Sequence, residues 1–200
     1  MDVQFAIAIE RGPEKHGQPS LSKSLLHLSV GDAAPLKATL KKIRFEYLVH
    51  DGELDLKGCA EKTQRCLWHM GHQLKHYLWQ DGLPHKERGS FRERLCAILY
   101  GSHYTIRGAA IAYGRLINEF CRLGLYTSAR HLALAKEEIF NCRKEPDLCF
   151  ATTSPVEREM RELNRRADVG ARWSPQGIEN LLKYSFSSAL TNTENLSTSV

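Results

Sequence analysis

Residues 90–142 read SFRERLCAILYGSHYTIRGAAIAYGRLINEFCRLGLYTSARHLALAKEEIFNC, the densest helical-period apolar pattern in the chain. Ser90 followed by Glu93 predicts a capping box, each side chain satisfying an orphan amide at a helix start. Leu95, Ile98 and Leu99 then recur at helical spacing, with Cys96 beside them. Gly101 and Ser102 weaken that helix near its end, and Gly108 marks a second soft point. From Ala109 the pattern resumes: Tyr113, Leu116, Ile117, Phe120 and Cys121 form one stripe at offsets of three and four. Gly124 suits the left-handed conformation that closes a helix. Thr127 or Ser128 would cap the next one, whose inward positions are Ala129, Leu132, Ala133 and Ile139, with the stem of Lys136. The stretch therefore predicts two long helices packed against each other.

Toward the N-terminus the period changes to two. Val3, Phe5, Ile7 and Ile9 alternate with Gln4, Ala6 and Ala8, which predicts a strand with one buried face. Residues 11–20 read as a loop, and Leu25 to Val30 as a second strand antiparallel to the first. Asp32 to Pro35 would break it. In Lys41 to Lys57 a strand carrying Ile43, Phe45, Tyr47 and Val49 meets Asp51-Gly52, which predicts a tight hairpin returning through Leu54 and Leu56. Cys59 to Gln80, with Leu67, Met70, Leu74, Tyr77 and Leu78 on one face, predicts the helix that covers this sheet of three or four strands. Beyond the central pair, Ser154-Pro155 and Ser174-Pro175 open two further helices. The predicted class is α+β: a small antiparallel N-terminal sheet packed on helices, followed by an all-helical bundle. It is read as one domain over 1–190, with sheet over 1–58 and helices over 59–190. Residues 191–200 read as a disordered tail.

Two hundred residues with a net charge of +5 suit a globular domain. No apolar run is long enough to span a bilayer, and no basic region precedes a hydrophobic core at the start, so neither a membrane nor secretion is expected. Six cysteines without such a signal are expected as reduced thiols, in the cytoplasm or nucleus. Charge is concentrated: between His85 and Arg130 there are eight Lys or Arg against three acids, a surplus equal to that of the whole chain. Arg92, Arg94, Arg107, Arg115, Arg122 and Arg130 are the candidate phosphate contacts in this window. A second group, Arg158, Arg161, Arg165, Arg166 and Arg172, interleaves with Glu157, Glu159 and Glu162 and reads as a self-paired solvated face.

Tyr113, Leu116, Ile117, Cys121, Gly124, Ala129 and Leu132 have the mutual spacings of a pentatricopeptide motif, and 113–132 resembles one such hairpin. That family binds single-stranded RNA, one base per repeat; no second copy is present, and Asn118 is given no base-reading role. From Val3 to Leu78 the order of strand, strand, hairpin and helix is similar in layout to the pathogenicity proteins of plant DNA-virus satellites. That likeness implies nucleic-acid binding and suppression of host RNA silencing.

On the predicted helix of 59–80, His69, His72 and His76 fall on one strip, with Cys66 one turn earlier. Imidazole and thiolate in that arrangement can share a zinc ion, although neither Cys-x-x-Cys nor His-Glu-x-x-His is present. Cys142 and Cys149 are too loosely spaced for a zinc knuckle. Trp68 and Trp79 lie off the apolar face of the same helix, and Tyr100 and Tyr104 flank His103; any of them could stack on bases if exposed. There is no glycine-rich phosphate loop and no Gly-x-Ser-x-Gly elbow. The expected function is therefore non-enzymatic: a nucleic-acid-binding accessory protein of viral type that sequesters RNA and carries no cofactor. The alternatives are an adaptor whose helical hairpin meets a host protein, or a second copy of the chain, and a metal- or thiol-dependent hydrolase using one of the three histidines.

Overall fold

A computed structural model describes residues 3–15, 18–30, 32–43, 45–56, 58–145, 151–158, 161, 174, 177 and 180. The class is mixed α+β. The chain divides into two compact units, residues 1–44 with 154–200, and residues 45–153.

In the first unit β1 (Val3–Lys15) pairs antiparallel with β2 (Gln18–Val30), from Val3 opposite Val30 to Lys15 opposite Gln18. The strands run through most of the segment expected as a loop. α1 (Ala34–Lys42) packs on the hairpin through buried Leu36 and Leu40. The Asp32-to-Pro35 break is in fact a helix start. The Asp32 carboxylate accepts the Ala34 amide at 3.0 Å, and Pro35 occupies the first turn, where its missing N–H costs nothing. His27 ties strand to helix, with Nδ1 3.1 Å from Thr39 Oγ1 and Nε2 2.9 Å from Ser29 Oγ. Residues 154–158 are helical, and the Ser174 hydroxyl accepts the Gly177 amide at 3.0 Å, as its predicted capping role requires. Arg165, Arg166, Arg172, Cys149 and the tail 191–200 lie outside the described residues.

The second unit opens with β3 (Phe45–His50) and β4 (Ala60–Arg65), which pair in parallel, Phe45 opposite Ala60 and His50 opposite Arg65. This corrects the expected hairpin. Gly52 does take a positive φ of 93°, but at a loop corner, and the Arg65 guanidinium occupies the space where a Cβ would stand. Leu54 and Leu56 lie in the connection rather than on a return strand. Among the described residues there are two two-stranded sheets instead of one of three or four.

Four helices follow: α2 (Leu67–Gln80), α3 (His85–Tyr100), α4 (Ile106–Arg122) and α5 (Tyr126–Ala135), then the short α6 (Asn141–Lys144). Contacts run α2–α3, α3–α4, α4–α5 and α5–α2, so the four close a ring. Its core holds Met70, Leu74 and Leu78 from α2, Leu95 from α3, Tyr113, Leu116 and Phe120 from α4, and Leu132 from α5. The Tyr113 hydroxyl donates to the Leu132 carbonyl at 2.9 Å, so the largest fully buried side chain among the described residues also joins α4 to α5. α3 begins at His85 behind Pro84, a turn before the predicted capping box, and Ser90 lies inside it. Gly124 has a φ of 75°, and the Leu125 amide reaches back to the Phe120 carbonyl at 2.9 Å, closing α4. The cap of α5 comes from elsewhere: the Asp81 carboxylate, just past α2, accepts the Thr127 and Ser128 amides at 2.9 and 2.8 Å. Burial pushes the Asp81 carboxyl up, but those hydrogen bonds together hold it below its ordinary value.

β4 is fastened to the end of the ring by polar groups. Gln64 is fully buried; its Oε1 accepts the Cys142 amide at 2.7 Å, and its Nε2 donates to the Ile139 carbonyl at 3.1 Å. Glu138 receives Thr63 Oγ1 at 3.0 Å and lies 3.2 Å from His50 Nε2 and 3.5 Å from Arg65 Nε. The hydrogen bond with His50 lowers the Glu138 carboxyl to about 2, against the opposing effect of burial.

Candidate nucleic-acid interface

The six expected phosphate contacts fall in three settings. On α4, successive residues turn by about 100°, which places Arg107, Ile111, Arg115, Asn118 and Arg122 within an arc of about 80°. All five are exposed. The three arginines therefore share one outer face, spaced along it by about 12 Å and about 10 Å. The amphipathic pattern explains the placement: Ala109, Tyr113, Leu116 and Phe120 bury the opposite side. Arg130 is exposed on α5. Among the described residues, none of these four side chains has an ion-pair partner. Arg122 acts on Glu119 from a distance, adding to the lowering of that carboxyl caused first by Arg94.

Arg94 is differently placed. Its Nη1 and Nη2 bind Glu119 Oε1 and Oε2 at 2.9 and 2.5 Å, and its guanidinium lies 5.2 Å from the centre of the Phe91 ring. A forked arginine–carboxylate pair joins α3 to α4 and neutralises the charge. Arg92 is half-buried, with its Nε beside the α-carbon of Gly71 on α2. The expected extension of the basic surface through Arg92 and Arg94 is thus corrected: both are engaged in helix packing.

The zinc expectation meets a similar correction. Cys66, His69, His72 and His76 do lie along the start and outer side of α2, but only Cys66 and His69 come together, through Thr153, while His72 and His76 turn to other partners. Cys66 is fully buried, with the Thr153 amide and hydroxyl donating to its Sγ at 3.3 and 3.4 Å. His69 Nδ1 lies 3.2 Å from Thr153 Oγ1. His72 stacks on Trp68, ring centres 4.8 Å apart and planes 9° from parallel. His76 Nε2 lies 2.9 Å from Gln80 Nε2. Among the described residues, no three His, Cys, Asp or Glu side chains gather as metal ligands.

Burial raises the Cys66 thiol, but hydrogen bonds from His69 and Thr153 outweigh it and bring it to about 7. That is the make-up of an activated thiol. With no exposure it is closed to a substrate, and its observed contacts hold residues 151–153 against the start of α2. The other described cysteines, 59, 96, 121 and 142, are free thiols as well.

A feature that the sequence reading did not assemble lies between α2 and α3. His72, Lys75, His76 and Trp79 from one helix and Arg88 from the other line an open cleft of about 370 Å³. Trp79 is 57 % exposed. Trp79, His72 and His76 are visible in the sequence as an off-core strip. Lys75 completes its period, but Arg88 joins only because the turn at Asp81–Pro84 folds α3 back.

No family model matches the chain, and no curated protein or solved structure matches it at a significant level. Among the described residues, no helix is long and apolar enough to cross a membrane.

Proposed function

We propose that this protein binds single-stranded RNA without altering it, through the outer face of α4 and the exposed Arg130 on α5. The observation that carries the reading is the alignment of Arg107, Arg115 and Arg122 on one exposed face with no carboxylate bound to them. Burying or pairing them would serve the fold; leaving three unpaired guanidinium groups in a row serves a polyanion, which releases counterions when they neutralise its phosphates. The same hairpin carries the pentatricopeptide resemblance, and single-stranded RNA is that family's ligand. Tyr126 is 69 % exposed at the start of α5 and offers a ring on which a base can stack. Holding RNA in this way amounts to sequestration, the role expected of a small accessory protein of viral type.

The test is an anisotropy titration at low salt with an unstructured RNA and with a duplex of equal length. The single strand should bind, and Arg107→Glu/Arg115→Glu/Arg122→Glu should weaken binding about a hundredfold or more. Flat curves with both RNAs reject the reading. A second reading rests on the exposed Ile111, Leu123 and Leu134 of the same hairpin, which suit an apolar partner surface on another protein. Nuclease-resistant capture of one defined protein, lost on Ile111→Ser/Leu134→Ser and kept in the triple arginine variant, would favour it.

A further inference from the structure

The cleft between α2 and α3 combines two kinds of recognition in one small volume. Lys75 and Arg88 supply fixed positive charge, His72 and His76 supply ring nitrogens, and none of the lining side chains is a carboxylate. Its volume of about 370 Å³ falls within the range of about 300–1,000 Å³ typical of small-ligand sites. Arg88 is half-buried, and its Nε is buried with no hydrogen-bond partner. Arg88 also lines the cleft, where a guanidinium forms charge-assisted hydrogen bonds with an anion. Cations alone would account for an inorganic anion. They leave unexplained why Trp79 stands more than half exposed at the rim of the same cleft, 5.6 Å from the His76 ring. An indole held beside two cations matches a ligand with a flat π-face joined to an anion.

From these residues we infer that the cleft is a binding site for a nucleoside phosphate, with the base stacked on Trp79 and the phosphate held by Lys75 and Arg88. His72 and His76 flank the phosphate as hydrogen-bonding groups. The same chemistry is presented by a free mononucleotide and by the phosphorylated end of an RNA strand. The site uses no residue of the α4 face, so its test does not depend on the function proposed above.

Calorimetric titration of the full chain with adenosine 5′-monophosphate, inorganic phosphate and adenosine reads the inference directly. The monophosphate should bind about tenfold or more tightly than either fragment. Trp79→Ala, at an exposed position, should weaken the monophosphate about tenfold and leave inorganic phosphate unchanged. Lys75→Gln, also exposed, should weaken both, and Arg88→Gln more so. Competition then separates the sources, carried out in the Arg107→Glu/Arg115→Glu/Arg122→Glu background to remove binding on α4. Displacement of the monophosphate by a 5′-phosphorylated RNA hexamer, and not by its 5′-hydroxyl form, assigns the site to strand ends. No displacement by either assigns it to free nucleotide. Equal affinity for the monophosphate and inorganic phosphate, no binding of the monophosphate, or an unchanged affinity in Trp79→Ala would overturn the inference.

Discussion

Two charged regions of the 45–153 unit treat their charge in opposite ways. At the seam between β4 and the end of α5, Glu138 is enclosed by His50, Thr63 and Arg65, and its side chain is 12 % exposed. On the outer face of α4, Arg107, Arg115 and Arg122 stand in solvent without a bound carboxylate. The first arrangement pairs its charges within the chain, though His50 Nδ1 and Arg65 Nε are left without a hydrogen-bond partner, and it holds the parallel strand pair to the helices. The second is incomplete within the chain, which is the ground for assigning it a ligand. Sequence alone counts every arginine alike; the partner of each one decides whether its charge is used by the fold or left over.

The largest effect should come from breaking the closed side. Glu138→Ala leaves Arg65 without its ion-pair partner and His50 Nε2 without its hydrogen-bond partner, and should lower unfolding free energy by about 3 kcal/mol, read by urea denaturation. RNA affinity of the folded fraction should not change. Next comes the open side. Arg107→Glu/Arg115→Glu/Arg122→Glu should weaken RNA about a hundredfold or more, with a denaturation midpoint close to that of the parent, because exposed charges contribute little to stability.

Acid should attack the buried side in two steps. Burial lowers His131, packed 4.4 Å from the Tyr77 ring, to about 4. Between about 6.5 and about 4 the unfolded chain binds this proton and the folded chain resists it, so stability falls as pH falls. Glu138 is depressed instead, and its contribution disappears as pH drops from the ordinary carboxylate range to about 2. The first step should cost about 2 kcal/mol, measured by denaturation at pH 7 and pH 4.5 and diminished in His131→Leu. The smallest change would convert one region toward the other. Glu119→Ala frees Arg94 from its exposed pair, should move stability by less than about 1 kcal/mol, and should strengthen RNA binding modestly.

Local signals carried much of the helical half. Of the predicted stripe Tyr113, Leu116 and Phe120 are buried, Ile117 is half-buried and Cys121 is exposed, and Gly124 closes α4 in the left-handed conformation. Ser174 caps as its position before Pro175 suggests. The β half was harder for a physical reason. Ala60–Arg65 reads AEKTQR, with its burial supplied by Gln64 and its pairing by β3, so no apolar alternation announces a strand. Asp51-Gly52 correctly demanded a positive φ, yet a loop corner satisfies that demand as well as a hairpin does. Asp32 and Pro35 carry the same start signal as Ser154-Pro155, but the neighbouring Lys41 reads as the opening of the following strand and lies in α1. In the candidate interface, charge density singled out the basic window, and the common face of Arg107, Arg115 and Arg122 follows only from the extent of α4. The Arg94–Glu119 pair and the hold of Thr153 on Cys66 and His69 depend on contacts between distant elements, which spacing does not encode, whereas His72 and His76 are taken up by Trp68 and Gln80 of their own helix.

The central claim is that four arginines left unpaired by the fold meet RNA phosphates. The most direct measurement is the dependence of single-stranded RNA affinity on salt, for the parent and for Arg107→Glu/Arg115→Glu/Arg122→Glu. Four contacts predict a log–log slope of about −3 for the parent, collapsing toward zero in the variant. A slope near zero in the parent, or the same steep slope in both proteins, would contradict it.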